Sequence, residues 1–207
     1  MSSRPENDQF TSWRRCRALI ASDLWRYAGT HGRRVFWARF LTTPGFHYTV
    51  LLRLYPYTLS AWWCRHGIRH LIVLALHHYA IRYGIDISRD TRIGSGFYIG
   101  HFGGIFVNAG VVIGDNCNIS QGVTLGQLNR GPKAGCPVIG NNVYIAPGAK
   151  VLGRVSIGDH AAIGANAVVV NDVAANTSVG GIPARPLSDL GSGGYVNRTD
   201  YPPVPVR

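Results

Sequence analysis

The sequence predicts a mainly β fold, a three-sided parallel β-solenoid preceded by an α-helical region. Three observations predict it. Aliphatic residues recur every sixth position through the second half of the chain. The residue after each is usually small. The composition also changes near residue 85: aromatics and arginine are dense before it, and Gly, Ile, Val and Asn dominate after it.

The six-residue rhythm is the strongest of these signals. Ile113, Ile119 and Leu125 keep it, as do Ile139, Ile145, Val151, Ile157, Ile163 and Val169. Ile87, Ile93, Ile99 and Ile105 form an earlier set. Gly114, Ser120, Gly126, Gly140, Ala146, Gly158 and Gly164 are the small followers. Each hexapeptide makes one short strand and one corner, and three complete a coil. Residues about 18 apart then stack, with the aliphatic side chains filling a narrow prism. An amphipathic helix needs a period near 3.6 and few glycines, and this stretch has neither. Leu125 and Ile139 are 14 apart, two more than two repeats, so Gln127 to Pro137 must leave the prism as a loop. Loops on rigid scaffolds often carry function. A smaller slip lies between Ile105 and Ile113.

Residues 1–84 form the helical, basic, aromatic-rich region. A first helix covers Phe10 to Ala28 and is broken at Gly29 to Gly32. Pro44-Gly45 and Pro56 punctuate the middle of the region. A longer helix runs from about Ser60 to Tyr83. Trp62, Trp63, Leu71, Leu74 and Tyr79 are expected on its apolar side, with Arg65, Arg69 and Arg82 elsewhere. Residues 85–185 make the β-helix domain. Residues 186–207, rich in Gly and Pro, make a flexible tail.

The chain has 207 residues, 46% of them apolar, which excludes disorder throughout. Its net charge is +11, and 19 of the 21 basic residues are arginine. Residues 1–92 hold 14 Arg against 5 acids. That excess suits an anionic partner, or is a solvated face. Trp- and Arg-rich helices of this kind lie on a membrane surface or cap the solenoid; both readings stay open. Cys16, Cys64, Cys117 and Cys136 lack disulfide-frame or zinc spacing, so reduced cytoplasmic thiols are expected. The polar N-terminus has no signal-peptide pattern. The longest apolar run, Leu71 to Leu76, is far shorter than the roughly 20 residues a membrane span needs. The expected location is the cytoplasm, with peripheral contact at the inner membrane face left open.

Several segments resemble a known family. Asp86-Ile87-Ser88, Ile99-Gly100-His101 and the run Ile119-Ser120-Gln121-Gly122-Val123-Thr124-Leu125-Gly126 resemble the hexapeptide-repeat acyltransferases, closest to their serine acetyltransferase branch. Gly180-Gly181-Ile182-Pro183-Ala184-Arg185 fits the same family. Asn129-Arg130-Gly131 with Cys136-Pro137 more closely resembles a sub-branch of that family, the colanic acid and other exopolysaccharide acetyltransferases, which is the nearest resemblance of the whole chain. The resemblance implies a left-handed β-helix, a homotrimer and acetyl-CoA as co-substrate.

His101 lies two residues after the inward Ile99, so its ring can point outward near a corner. It matches the family's general base. Such a base needs a pKa near 7 to take a proton from an alcohol attacking a thioester. Asp86, 15 residues earlier, matches the aspartate that orients that histidine. Serine acetyltransferases carry an aspartate where Gly100 stands, and an Arg-His pair where Gly135 and Cys136 stand. Those residues hold zwitterionic serine. Their loss at Gly100 and Cys136, expected substrate-binding positions, favours a neutral acceptor such as a sugar hydroxyl. Cys136 is read as a loop-packing thiol rather than a nucleophile.

Acetyl-CoA is expected in the groove between subunits. Gly126, Ala146 and Gly164 would give room to its pantetheine arm, and Arg185 would pair with a phosphate. Asn118 and Asn142 are expected at tight corners, where Asn tolerates the left-handed region, and His160 at the surface. The repeat holds only His101 and His160, too few and too far apart for a three-histidine metal site, so no metal is expected. There is no P-loop, Rossmann fingerprint or nucleic-acid module. The main reading is an acetyl-CoA-dependent O-acetyltransferase acting on a sugar hydroxyl in exopolysaccharide synthesis. The alternatives are serine O-acetyltransferase and a non-catalytic assembly protein.

Overall fold

The computed structural model describes residues 12–58 and 67–203. Four helices lead into the solenoid: α1 (Trp13–Ala28), α2 (Arg33–Thr42), α3 (Pro44–Tyr57) and α4 (Arg69–Tyr83). α1 ends where the sequence places the break, on Gly29. Pro44 opens α3 at its first position, where a missing N–H costs nothing. Pro56, expected as punctuation, lies in the last turn of α3. Phe10 and Ser60 to Arg65, with Trp62 and Trp63, lie outside the described residues.

The apolar side expected for the last helix needs correction. In α4 the buried residues are Ile72 and Leu76, with Tyr79 packed beside them. Leu71 is 66% and Leu74 65% exposed. The cause is the direction of packing. α4 is held between α3 and the first strand, and only one stripe of its apolar residues faces them. Gly84, at φ +62°, ends α4 in the left-handed conformation and leads directly into that strand.

The solenoid then runs in coils of three strands. The first coil is β1 (Ile85–Ile87), β2 (Arg92–Ile93) and β3 (Tyr98–Ile99). The second is β4 (Ile105–Val107), β5 (Val112–Ile113) and β6 (Asn118–Ile119). The third is β7 (Thr124–Gly126), β8 (Val138–Ile139) and β9 (Tyr144–Ile145). The fourth is β10 (Lys150–Leu152), β11 (Ser156–Ile157) and β12 (Ala162–Ile163). β13 (Val168–Val169) and β14 (Ser178–Gly181) finish the prism. Three parallel faces result: β1-β4-β7-β10-β13, β2-β5-β8-β11 and β3-β6-β9-β12-β14. The fold is a parallel β-solenoid of the left-handed β-helix type.

Every aliphatic residue of the six-residue rhythm is buried inside the prism, from Ile87 to Val169. Fully burying such a side chain contributes roughly 1.5–3 kcal/mol, and the prism repeats the gain in each coil. The stacking distance varies around 18. Thr124 pairs with Phe106 and Lys150 with Val168, each 18 apart. Phe106 pairs with Asp86, 20 apart, because two extra residues lie in the turn between β3 and β4, so that Val107 rather than Ile105 stacks on Ile87 and the expected slip between Ile105 and Ile113 falls before β4 instead. Thr124 pairs with Lys150, 26 apart, because the insert lies between them. The insert therefore interrupts one repeat, adding eight residues between β7 and β8, rather than two repeats plus two. It leaves the prism as expected, and a bridge between Leu128 and Gly135 closes it.

Two further expectations change. Residues 186–203 do not form a free tail. β15 (Ala184–Ser188) runs antiparallel on β14, and Tyr195 stacks on Tyr144 with ring centroids 4.5 Å apart. Beyond it the Tyr201 hydroxyl donates to Asn116 Oδ1 at 2.6 Å. These contacts give a Gly- and Pro-rich segment the partners its composition does not announce. Asn118 is not a corner residue either. It sits in β6, buried, accepting from Arg26 Nη2 at 2.6 Å and donating to the Tyr195 carbonyl. The corner positions go to Asn116, Asn142, His160, Asn166 and Asn176, all at positive φ. His160 is exposed there, as expected.

Candidate active site

His101 lies on the turn between β3 and β4, at the corner where the third face meets the first. It is exposed, and makes no hydrogen bond or ion pair among the described residues. Tyr83, the last residue of α4, has its ring 6.1 Å from that of Phe102, so the helical region reaches this corner. Gly103 and Gly104 lie against Gly84 at the start of β1.

The expected pairing of Asp86 with His101 is not made within the chain. Asp86 is the outward residue of β1. Its place is a cleft against α4, lined also by Tyr48, His77, Ser88 and Arg89. Its strand register is with Phe106, five residues past His101. Both groups border the same coil, but the side chain of Asp86 is turned toward the helices. Its negative charge, with burial as the larger cause, pushes the Tyr48 phenol up to about 12.

Below His101 runs a column of small residues. Gly100, Ser120, Ala146, Gly164 and Gly180 follow the inward Ile99, Ile119, Ile145, Ile163 and Val179, one in each successive coil. At about 4.8 Å per coil, the column is about 19 Å long. At its foot Arg185 on β15 stands in register with Gly180, exposed. The structure thus brings four of the expected site residues to one line: His101 at the head, Ala146 and Gly164 along it, Arg185 at the foot. Gly126 does not join them. It ends β7 at the opposite edge of the first face, stacked beside Leu152.

Cys136 lies at that opposite edge too. Its Sγ is 3.3 Å from Asn108 Oδ1 and 3.8 Å from Gln127 Oε1, packing the base of the insert. Within one chain it is therefore apart from His101 and Gly100. Between the two edges the first face presents Phe106, Thr124, Lys150 and Val168 in register. Lys150 Nζ donates to Thr124 Oγ1 at 3.1 Å and to the Gly122 carbonyl.

The two glycines at the departures from the family pattern differ physically. A Cβ on Gly100 would meet only Tyr98 Cε1, at 3.4 Å, an ordinary contact. Neither space nor backbone demands glycine there. Gly135 has φ +130°, and a Cβ would meet that of Arg154 at 3.2 Å. A side chain at 135 is strained whatever its chemistry.

Sequence reasoning missed one residue here. Gln121 occupies the same corner as His101, one coil further on, and its Oε1 is buried without a hydrogen-bond partner among the described residues. A buried amide oxygen left unpaired costs about 1–3 kcal/mol, so it is a ready acceptor. The 20-residue register of that coil, set by two extra residues in the turn between β3 and β4, is the signal that places it.

No group of three or more metal-ligating side chains occurs among the described residues. The three-sided prism built on a six-residue repeat is the fold class of the hexapeptide-repeat transferases. The family model for the bacterial transferase hexapeptide (six repeats) matches residues 136–171. A serine acetyltransferase of Synechococcus elongatus is 34% identical over 165 residues, 80% of this chain and 65% of the relative. The crystal structure of serine acetyltransferase in complex with coenzyme A from Brucella abortus matches with TM-score 0.66 at 30% identity, covering 85% of this chain and 67% of that one. The soybean serine acetyltransferase apoenzyme matches with TM-score 0.65 at 34% identity, covering 83% and 69%.

The chain belongs to the serine acetyltransferase family of hexapeptide-repeat transferases. These relatives favour the serine acetyltransferase branch over the exopolysaccharide sub-branch. The chain spans about half to two thirds of the length of the curated relatives it matches, 65% of the Synechococcus elongatus enzyme and 48% of the Staphylococcus aureus one.

Proposed function

We propose that the chain is an acetyl-CoA-dependent O-acetyltransferase with His101 as general base. The observation that carries this reading is the small-residue column running from His101 to Arg185. The column leaves room for a long thin arm, with a cation for phosphate at one end and a base for the thioester at the other. His101 takes the proton of the acceptor hydroxyl as its oxygen attacks the thioester carbonyl. Collapse of the tetrahedral intermediate transfers acetyl and expels the CoA thiolate, which the imidazolium protonates. Asp86 is a positioning residue in this reading, acting through His101 after its carboxylate turns out of the α4 cleft. Gln121 Oε1 is an acceptor for a donor on the bound substrate. Gly126 and Cys136 enter only across an interface between copies, and a homotrimer supplies one. The reading keeps the enzyme in the cytoplasm, with the basic helical region free for peripheral contact at a membrane.

The acceptor this reading places first is L-serine, because the relatives are named serine acetyltransferases. A second reading, a sugar hydroxyl in exopolysaccharide synthesis, is favoured by the uncharged Gly100, Gly135 and Cys136. The test is CoA release from acetyl-CoA with L-serine, nucleotide sugars or cell-envelope glycan as acceptor. His101→Ala is expected to lower kcat/KM about 10²–10⁴-fold. Turnover with serine selects the first reading, and turnover with glycan alone selects the second. Absence of His101-dependent release with every acceptor refutes both and leaves a non-catalytic assembly protein.

A further inference from the structure

The helical region carries a surface that the transferase reading does not use. α1, α2 and the near side of α3 enclose an open groove of about 1050 Å³. Its floor is apolar, formed by residues such as Leu24, Phe36 and Val50. Trp13 and Trp37 stand at its edge, 47% and 54% exposed. Arg14, Arg17 and Arg33 also line it, and none of the three has a hydrogen bond or ion pair among the described residues. Among the described residues no carboxylate lines the groove. The only acid in residues 12–58, Asp23, is buried in an ion pair with Arg53. α2 has no buried residue at all, although Val35, Phe36 and Phe40 lean on the groove side.

We propose that this groove is a docking site for the anionic lipids of a bilayer surface. The pattern fits that occupant on two counts. An apolar trough with indoles at its lip suits acyl chains below and headgroups above. Three unpaired guanidinium groups around it suit lipid phosphates, which they bind in fork geometry. A second copy of the chain is disfavoured by charge. Each copy carries +11, and groove-to-groove contact would bring six arginines together. No helix among the described residues is long and apolar enough to cross a membrane, so the attachment is peripheral.

The test is co-sedimentation of the full chain with phosphatidylcholine vesicles, with and without phosphatidylglycerol. Binding is expected only where phosphatidylglycerol is present, weakening as salt is added. The triple variant Arg14→Gln/Arg17→Gln/Arg33→Gln is expected to bind on the order of a hundredfold less, about fivefold per arginine. Trp37→Ser is expected to bind several-fold less, with an unchanged melting curve. Equal binding to neutral vesicles, salt-independent binding, or undiminished binding by the triple variant overturns the proposal. A lower oligomer mass of the triple variant by light scattering also overturns it and makes the groove a contact between copies. Were the triple variant to melt early, Arg33→Gln and the salt series would carry the same test. The assay reads no turnover, so it stands or falls separately from the acetyltransferase reading.

Discussion

Asp23 on α1 and Arg53 on α3 form an ion pair buried against the first coil, Nε to Oδ2 at 2.8 Å. Arg53 also donates to the Ile93 carbonyl at 2.7 Å, and Asp23 Oδ1 accepts from the Phe97 N–H at 2.8 Å. The pair therefore satisfies backbone groups of the solenoid that the helices cover. Arg26 does the same for the Gly96 carbonyl, at 2.8 Å. Helix docking here is polar at its centre, and it fixes where the helical region sits relative to the His101 corner.

Removing one partner leaves the other charge buried. Asp23→Ala is expected to destabilise the protein by roughly 3–5 kcal/mol. The double variant Asp23→Leu/Arg53→Met is expected to lose less than Asp23→Ala, because Arg53 is no longer left as an unpaired charge, although the Ile93 carbonyl and the Phe97 N–H lose their partners. Denaturant unfolding of the three proteins checks this. Equal losses in the single and double variants would show that packing, not the uncompensated charge, sets the cost.

His47 on α3 gives stability a pH dependence. Its ring lies between Phe40 and Tyr79, with centroids 4.3 and 4.2 Å away, and Nδ1 is 3.3 Å from the Tyr83 hydroxyl. Burial pushes its pKa below the ordinary value. On acidification the unfolded chain takes up the proton first. The contribution of His47 is therefore fully present above about pH 6.5 and is lost as pH falls through the lower folded pKa. The Tm of the wild type is expected to drop over that window, and His47→Phe to flatten the drop. An identical slope in the variant would assign it to other groups.

The cysteines divide by burial. Burial pushes the Cys16 thiol up to about 11 and the Cys117 thiol up to about 12. At neutral pH neither offers thiolate, and neither is open to solvent. Cys136, partly exposed at the base of the insert, is accessible. Treatment of the native protein with N-ethylmaleimide, read peptide by peptide, is expected to modify Cys136 and spare Cys16 and Cys117 until denaturant is added. Native labelling of Cys117 would contradict its place inside the prism.

Much of this architecture is legible in the sequence because the solenoid is quasi-one-dimensional. One inward aliphatic and one small residue per hexapeptide specify strand, corner and core together, so Ile99, Ile119, Ile145 and Ile163 announce one face. The helical region obeys no such rule. Leu71 and Leu74 have the right period for a buried stripe, yet α3 and β1 cover Ile72 and Leu76. The tail misleads for a related reason: Tyr195 and Tyr201 find partners on Tyr144 and Asn116 that lie far away in sequence. At the site, spacing brings His101, Ala146, Gly164 and Arg185 to one column. It does not reveal that the Asp86 side chain turns toward α4, because side-chain direction depends on what packs beside the strand.

Gly100 offers the sharpest test of acceptor chemistry. It precedes His101, its φ is not positive, and an added Cβ meets only the edge of Tyr98. Gly100→Asp is therefore expected to fold normally, with Tm within a few degrees of the wild type. Gly135 offers no such control, since φ +130° would strain any side chain placed there. A carboxylate at position 100 lies beside the base, where an amino acid's ammonium would need a partner. One charge-assisted hydrogen bond contributes about 1.5 kcal/mol, so kcat/KM for L-serine is expected to rise about tenfold. The KM for acetyl-CoA should stay as it was, because the column below is untouched. Turnover of an uncharged sugar acceptor should gain nothing and fall if its ring packs where the carboxylate now stands. A Gly100→Asp enzyme with unchanged kinetics toward both acceptors would show that the acceptor lies away from this corner, and would move the specificity pocket to the insert around Cys136.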